Sequence, residues 1–445
     1  MNRIPRILSA MALAALCASA QAQINNNPPG GGGPGGGRGP GGVEASVVTN
    51  ARSPEVNADG TITFRLQAPN AKTVRVFTDM PKLGATPVNG SAGFDMAKDA
   101  NGVWSFTTPK LTPSYYQYWF VMDGFSTPDP QNTFVRPGSG VYKSVVALPG
   151  KEADFMMFRD VPHGNLIEHH YLNKDNKVAR RVVIYTPPDY NTGNKKYPVV
   201  YLLHGANDYE RGWTQSGMAN TIMDNLIAEK KAIPAIIVMP FGHDKTGATG
   251  KQPETVALQN ALGYVPPPPV ARGGGAPGAR GAPGGAPGGA PPAAAARGAG
   301  PGGQSQGGWS MEKEMLDYVM PYVEKEFRVI KDKNHRAIMG YSMGGGHSTS
   351  IGFGHPELFA YVGAFSGFGS TNLLTADPAK TNKNYKMIFL GAGTEDTAVN
   401  GGRTMDAALT KAGVKHTWSE DPGYGHDYQI WRQYFHRLMQ QTFRD

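Results

Sequence analysis

The second half of the chain contains the pentapeptide Gly340-Tyr341-Ser342-Met343-Gly344, which matches the pattern Gly-X-Ser-X-Gly. A strand-like segment, residues 336–339, precedes the pentapeptide, and a glycine-rich segment with helical character follows it. This pattern is typical of a sharp strand-to-helix turn that presents a serine at its apex. Such a turn strains the serine backbone, and its glycines let the strand and the helix approach closely. Ser342 is therefore predicted to be a nucleophile, and the backbone N–H of Met343 to form one half of an oxyanion hole.

Outward from this turn, apolar runs alternate with helical segments from about residue 165 onward. Continuous apolar runs of four or five residues fit strands that are buried on both faces of a parallel sheet. The alternation predicts an α/β domain with a doubly wound, mostly parallel sheet of the α/β-hydrolase type. The predicted strands are 181–185, 199–203, 235–239, 336–339 and 387–390, and the predicted helices are 218–230, 311–326 and 402–411.

A serine nucleophile of this kind needs an acid and then a histidine later in the chain. The histidines far enough downstream are His416, His426 and His436. We predict that His426 is the base, because it lies in a glycine-rich loop before the C-terminal helix. His416 lies in a predicted strand, 414–419, and His436 lies within the C-terminal helix itself. The acid should follow the next strand after the serine turn, which we predict to be 387–390. Glu395 and Asp396 both occur in the loop after it, and we favour Asp396.

The second half of the oxyanion hole should come from the loop after another predicted strand. The run Leu202-Leu203-His204-Gly205 ends that strand, and the N–H of Ala206 is the expected donor. This chemistry needs no cofactor and no metal, and we predict neither. Glu168, His169 and His170, together with His163, are candidate metal ligands, but they lack the fixed-spacing partner that a metal site requires.

The first residues have the layout of a secretory signal peptide, predicted to span residues 1–22. Arg3 and Arg6 precede an apolar run, and small residues up to Ala22 offer cleavage sites. The apolar run is too short for a permanent membrane span. The protein is therefore expected to be secreted or periplasmic. Cys17, the one cysteine of the chain, leaves acylation as an alternative, and cleavage near Ala22 would leave no cysteine for disulfides.

Composition divides the rest of the chain into four segments. A Gly/Pro-rich tether is predicted at 23–43, and short alternating strands predict a small all-β sandwich at 44–150. The α/β domain then occupies 151–445, with a disordered Pro/Gly/Ala insert at 265–307. The formal charge of +8 is spread without a basic run or a recognisable motif, so no nucleic-acid partner is predicted.

Five motifs of the α/β domain resemble those of the putative esterase family, which includes enterochelin-esterase-like proteins and the feruloyl and acetyl-xylan esterases of carbohydrate esterase family 1. They are Tyr185-Thr186-Pro187-Pro188, Leu202-Leu203-His204-Gly205, Gly340-Tyr341-Ser342-Met343-Gly344-Gly345, Gly425-His426-Asp427 and Trp431-Arg432. The resemblance implies the triad Ser342, Asp396 and His426, and suggests that Tyr341, Tyr428 and Trp431 bind substrate. Tyr428 stands where such relatives resemble one another in having tryptophan. The run Tyr118 to Gly124 also resembles immunoglobulin-like early-set domains.

The resemblance implies hydrolysis of carboxylic esters, with feruloyl or acetyl esters on a plant polysaccharide such as xylan as the expected substrates. Two alternative reactions stay open, namely hydrolysis of siderophore esters and acyl transfer to a sugar. A third possibility, from a different class, is a secreted glycan-binding protein with a vestigial hydrolase domain. The presence of a serine, an acid and a histidine in the expected order argues against that third possibility.

Overall fold

A computed structural model describes residues 52–80, 92–137, 141–175, 178–206, 208–243 and 310–444. All of them belong to one compact unit of the chain. The predicted signal peptide (1–22), tether (23–43) and insert (265–307) lie outside the described residues. The boundaries proposed for the domains stay predictions.

The described residues before 150 form two antiparallel sheets that share one hydrophobic core. The strands are β1 (Glu55–Val56), β2 (Ile62–Gln67), β3 (Val74–Thr78), β4 (Ala92–Asp95), β5 (Ala97–Lys98), β6 (Val103–Thr107), β7 (Ser114–Met122), β8 (Phe125–Thr127), β9 (Val135–Arg136) and β10 (Lys143–Leu148). One sheet has the order β1-β2-β6-β5, and the other has the order β4-β3-β7-β10-β9 with β8 paired to β7. Phe64 from the first sheet and Tyr118 from the second pack with ring centroids 4.5 Å apart in this core. The immunoglobulin-like assignment of this N-terminal β region stays a prediction.

The remaining strands form a single mixed sheet. They are β11 (Asn165–Asn173), β12 (Val178–Thr186), β13 (Val199–Leu203), β14 (Ile236–Pro240), β15 (Arg336–Tyr341), β16 (Tyr361–Phe365), β17 (Met387–Gly393) and β18 (Thr417–Asp421). The order is β11-β12-β14-β13-β15-β16-β17-β18, antiparallel at β11, β12 and β14 and parallel from β14 onward. The predicted α/β class is confirmed.

Helices cover both faces of this sheet. They are α1 (Gly212–Gln215), α2 (Ala219–Ala228), α3 (Met311–Glu314), α4 (Met320–Glu326), α5 (Met343–Gly354), α6 (Asn372–Thr375), α7 (Pro378–Asn384), α8 (Val399–Ala412) and α9 (Tyr428–Met439). A π-helical turn, Met315–Val319, joins α3 to α4, and 3-10 turns occur at Lys151–Met156, Tyr190–Thr192 and Lys333–His335. Side chains of α2 and α9 share a core with Val200 and Leu202, whereas those of α3, α4, α5 and α8 share another with Val199 and Tyr201. Alternate residues of one strand thus face opposite helical layers.

Within the described ranges, no helix is both long and apolar enough to cross a membrane.

One expectation about the sheet is wrong. We expected the strand 387–390 to be the next strand after the serine turn, but β16 lies between them. Gly363 interrupts the short apolar run of β16, and glycine weakens the sequence signal of a strand. A Cβ at Gly363 would lie 3.0 Å from the Leu438 side chain of α9, a tight contact that this side chain would have to shift to relieve.

Candidate active site

Ser342 lies at the apex of a tight turn between β15 and α5. Its backbone has φ 54° and ψ −121°, a conformation that side-chain-bearing residues rarely adopt, and its N–H donates to Phe365 O at 2.7 Å. A Cβ at Gly340 would lie 2.6 Å from Gly344 O, and a Cβ at Gly344 would lie 2.5 Å from Leu203 O. The two glycines are therefore required for the helix to approach β15 and β13.

Three predicted residues form a continuous hydrogen-bonded chain. His426 Nε2 lies 2.9 Å from Ser342 Oγ, and His426 Nδ1 lies 2.9 Å from Asp396 Oδ1. Asp396 is buried, and its Oδ1 also accepts the N–H of Ala398 at 2.7 Å. A carboxylate beside Nδ1 favours the histidine tautomer that is protonated at Nδ1. In that tautomer Nε2 carries no proton and can accept the one from serine.

The loops that carry the acid and the histidine are joined by backbone contacts. The N–H of Glu395 donates to Tyr424 O at 3.0 Å, and the N–H of Gly423 donates to Thr394 Oγ1 at 2.9 Å. Asp427 caps α9 by accepting the N–H of Gln429 at 2.8 Å. Burial, together with the charge of Asp79, raises the pKa of Asp427 to about 6. These contacts fix the two loops against each other at the carboxyl ends of β17 and β18.

The other sequence candidates lie away from Ser342 or face solvent. Glu395 is exposed, whereas its neighbour Asp396 points into the protein toward His426. His416 Nε2 lies 2.9 Å from Asp406 Oδ1, and the His436 ring packs against Phe155 with centroids 4.5 Å apart.

We expect Asp396→Asn to lower kcat by about four orders of magnitude, because the amide no longer holds the histidine in the required tautomer. Glu395→Gln, the matched change at the adjacent exposed position, should leave kcat near the wild-type value. Steady-state kinetics on a small soluble ester would measure both. If Glu395→Gln were the damaging change and Asp396→Asn the harmless one, the choice of acid would be wrong.

The loop that carries Ala206 packs directly on the serine turn. A Cβ at Gly205 would lie 3.2 Å from Ser342 Cβ and 2.5 Å from the Tyr341 ring. Buried His204 holds this loop: its Nδ1–H donates to Gly205 O at 2.9 Å, and its Nε2 accepts the N–H of Gly242 at 2.9 Å. Burial lowers the pKa of His204 to about 3, so the ring stays neutral and keeps both bonds. The roles of the Ala206 and Met343 amides as oxyanion donors stay predictions.

The three side chains predicted to bind substrate lie in the protein interior. Tyr341, Tyr428 and Trp431 are 3%, 4% and 5% exposed. Trp431 stacks on Tyr341 at 3.9 Å between ring centroids, meets the His426 ring edge-on at 5.1 Å, and donates from Nε1 to Ser366 Oγ at 2.8 Å. Their burial favours a supporting role beneath Ser342 and His426, and substrate contact by these side chains stays a prediction.

Sequence reasoning missed two charged residues beneath this aromatic cluster. Asp208 Oδ2 lies 2.7 Å from the hydroxyl oxygens of both Tyr341 and Tyr428, and Asp208 Oδ1 lies 2.9 Å from the guanidinium of Arg136. Burial, reinforced by the Asp208 charge, raises the pKa of both tyrosines well above the ordinary value, so they remain hydrogen-bond donors. The position of Asp208 just after the Ala206 loop is the one signal in the sequence that could have drawn attention to it.

The strand order of the mixed sheet and the serine turn at the end of its central strand β15 define an α/β-hydrolase fold. A profile of the family described as Putative esterase matches residues 175–261 and 291–442, which is more than half of the chain. The chain belongs to the putative esterase family.

An endo-1,4-beta-xylanase/feruloyl esterase of Xylanibacter ruminicola is 30% identical over 399 residues, covering 88% of this chain and 46% of that protein. The chain thus spans about half the length of this curated relative. The enterobactin esterase from Shigella flexneri has a similar fold, with a TM-score of 0.54 and 18% identity over 86% of this chain and 93% of its own. A ferulic acid esterase from Anaeromyces mucronatus has a TM-score of 0.47 and 21% identity over 70% of this chain and 98% of its own.

Proposed function

We propose that this protein is a serine esterase that hydrolyses carboxylic esters through an acyl-enzyme formed on Ser342. The observation that carries the proposal is the hydrogen-bonded chain from Ser342 Oγ through His426 to buried Asp396. A serine hydroxyl is a weak nucleophile until an adjacent base takes its proton. We assign His426 as that base, because its Nε2 lies 2.9 Å from Ser342 Oγ.

In the first half of the reaction, Ser342 Oγ bonds to the ester carbonyl carbon while its proton passes to His426 Nε2. The carbonyl oxygen becomes an oxyanion that the N–H groups of Met343 and Ala206 would stabilise. Collapse of this intermediate breaks the bond to the alcohol, which leaves with the proton from His426. The products of this half are an acyl-Ser342 ester and a free alcohol.

In the second half, water attacks the acyl-Ser342 carbonyl carbon and gives a proton to His426 Nε2. The bond to Ser342 Oγ then breaks, and His426 returns the proton to the serine. Asp396 stabilises the imidazolium in both halves without accepting its proton. The cycle releases a carboxylic acid and restores the enzyme without any cofactor.

We propose feruloyl or acetyl esters of a plant polysaccharide such as xylan as the substrates. The support is the Xylanibacter ruminicola relative, whose name joins xylanase and feruloyl esterase and which matches 88% of this chain. A polysaccharide is too large to enter a cell, so this proposal agrees with the signal peptide predicted at 1–22. Export would then place the mature protein outside the cytoplasm, in the periplasm or beyond the cell.

A panel of substrates tests the proposed specificity. With methyl ferulate, an acetylated xylo-oligosaccharide and a catecholate siderophore ester, we expect kcat/KM for the ferulate or the acetyl ester to exceed that for the catecholate ester by more than about tenfold. Ser342→Ala run in parallel separates enzyme turnover from background hydrolysis. Preference for the catecholate ester would favour the siderophore reaction, and transfer of the acyl group to added sugar in place of water would favour the acyltransferase reaction.

A further inference from the structure

A cation from the N-terminal β region is buried against the α/β domain. Arg136 ends β9, and its side chain is 5% exposed. One nitrogen of the guanidinium, NH2, donates to Asp208 Oδ1 at 2.9 Å. The other, NH1, donates to Gln117 Oε1 at 2.9 Å and to Ser216 Oγ at 3.0 Å. Burial alone would lower the pKa of Arg136, but the Asp208 carboxylate raises it above its ordinary value. The arginine therefore supplies the positive charge that a buried carboxylate needs.

The second oxygen of the same carboxylate, Asp208 Oδ2, accepts hydrogen bonds from the hydroxyls of two tyrosines. Asp208 Oδ2 and the hydroxyl oxygens of Tyr341 and Tyr428 form a triangle in which each pair of oxygens lies 2.7 Å apart. Each tyrosine hydroxyl carries one proton, and Asp208 Oδ2 has the lone pairs to accept both. Without Arg136, the buried carboxylate would lose the ion pair that fixes the direction of its two oxygens. The two tyrosine hydroxyls would then lose an acceptor held in a fixed position.

The two tyrosines are close in sequence to two members of the triad, the serine and the histidine. Tyr341 directly precedes Ser342, and Tyr428 follows His426 by two residues at the start of α9. Through its hydrogen bonds to both tyrosines, Asp208 thus connects the segment that carries the nucleophile to the segment that carries the base. A displacement of about 1 Å between reacting groups can cost about 100-fold in rate, even when the altered residue is far from the chemistry.

We propose that Arg136 is a positioning residue of the active site: its ion pair fixes the orientation of the Asp208 carboxylate, and Asp208 holds Tyr341 and Tyr428 so that Ser342 Oγ and His426 Nε2 keep their hydrogen-bonding distance. The N-terminal β region thereby completes the esterase site from beneath, without touching the substrate. This inference rests on the serine esterase activity proposed above. It predicts that the loss of Arg136 slows turnover of even a small soluble ester. Loss of a polymer-binding surface would leave turnover of such an ester unchanged, because the ester is too small to contact that surface.

The test compares kcat and KM of wild type, Arg136→Met, Asp208→Asn and the double variant on a small soluble ester, with melting temperatures recorded for each. Each single variant should lose about 10- to 100-fold in kcat with little change in KM. The double variant should lose no more than either single variant, because both changes remove the same unit. Losses that multiply in the double variant, or an Arg136→Met enzyme with wild-type kcat, would overturn the proposal.

A matched control separates positioning from general stability. Arg336 is another buried arginine, at the opposite end of β15, and its NH2 donates to Glu324 Oε1 at 2.5 Å. Arg336→Met should lower the melting temperature while kcat stays near wild type at a temperature where the variant is folded. Equal losses of kcat in the Arg136 and Arg336 variants would show a purely structural effect and contradict the proposal.

One further variant keeps the inference testable if Arg136→Met does not fold. Tyr428→Phe leaves the Arg136–Asp208 pair and the packing in place and removes one hydroxyl, and it should lower kcat by about tenfold. Wild-type kcat in Tyr428→Phe would count against the proposal. Failure of the proposed function is distinguishable, because it would appear as a wild-type protein that hydrolyses no more ester than Ser342→Ala.

Discussion

Ser342→Ala should lower kcat for ester hydrolysis by about six orders of magnitude, to the level at which binding and the oxyanion donors act alone. Alanine removes the one atom that forms the acyl bond. It also removes the hydroxyl that donates to His426 Nε2 in the 2.9 Å contact, so neither proton transfer nor covalent catalysis can proceed. The fold should survive, because serine already bears a Cβ at φ 54° and alanine adds no atom to this strained position.

The measurement for this variant is kcat on a small chromogenic ester, with circular dichroism and melting temperature as evidence of folding. Ser350→Ala is the matched control, because Ser350 lies on the same helix α5 but is exposed. It should retain wild-type kcat. A Ser342→Ala protein that keeps more than about one per cent of wild-type turnover would point to another nucleophile.

His426→Ala should be nearly as damaging as the serine change, because the two residues act as one catalytic unit. The loss removes the base for the attack on the ester and the acid for release of the alcohol. The double variant Ser342→Ala/His426→Ala should therefore be no slower than either single variant. Kinetics of the three proteins on the same ester would measure this non-additivity.

His335→Ala provides the control for the histidine change. His335 is half-buried and directly precedes β15, at the end of the strand far from Ser342, where its Nδ1 lies 2.9 Å from Asp332 Oδ1. Its removal should leave kcat unchanged. If His426→Ala kept most of its activity, or if the serine and histidine losses multiplied in the double variant, the two residues would not form one unit.

The parts of the site that the sequence predicts are those whose signal is local. The serine turn has fixed glycine spacing because a Cβ at Gly340 or Gly344 would collide with nearby backbone. The neighbourhood of His426 has a local signal too, because a loop rich in glycine lies before a helix. The structure brings both together with Asp396 at hydrogen-bonding distance.

What the sequence does not predict depends on contacts between distant segments. Arg136 ends β9, whereas Asp208 lies 72 residues later in the loop after β13, so no motif or periodicity connects them. Tyr341 and Tyr428 appeared in the sequence as substrate-binding aromatic residues. Only their burial against Asp208 reveals the supporting role that we favour. A charged residue that is buried by a distant segment of the chain looks like an ordinary surface residue in the sequence.

The most direct test of Ser342 as the activated nucleophile is covalent labelling of the intact protein with a fluorophosphonate, followed by mass spectrometry of the digested product. Such a reagent reacts with a serine that a neighbouring base has activated. We expect a single adduct on the peptide that contains Ser342, formed in the wild type and absent from Ser342→Ala. An adduct that persists in Ser342→Ala, or a wild-type protein that turns over esters without being labelled at Ser342, would contradict it.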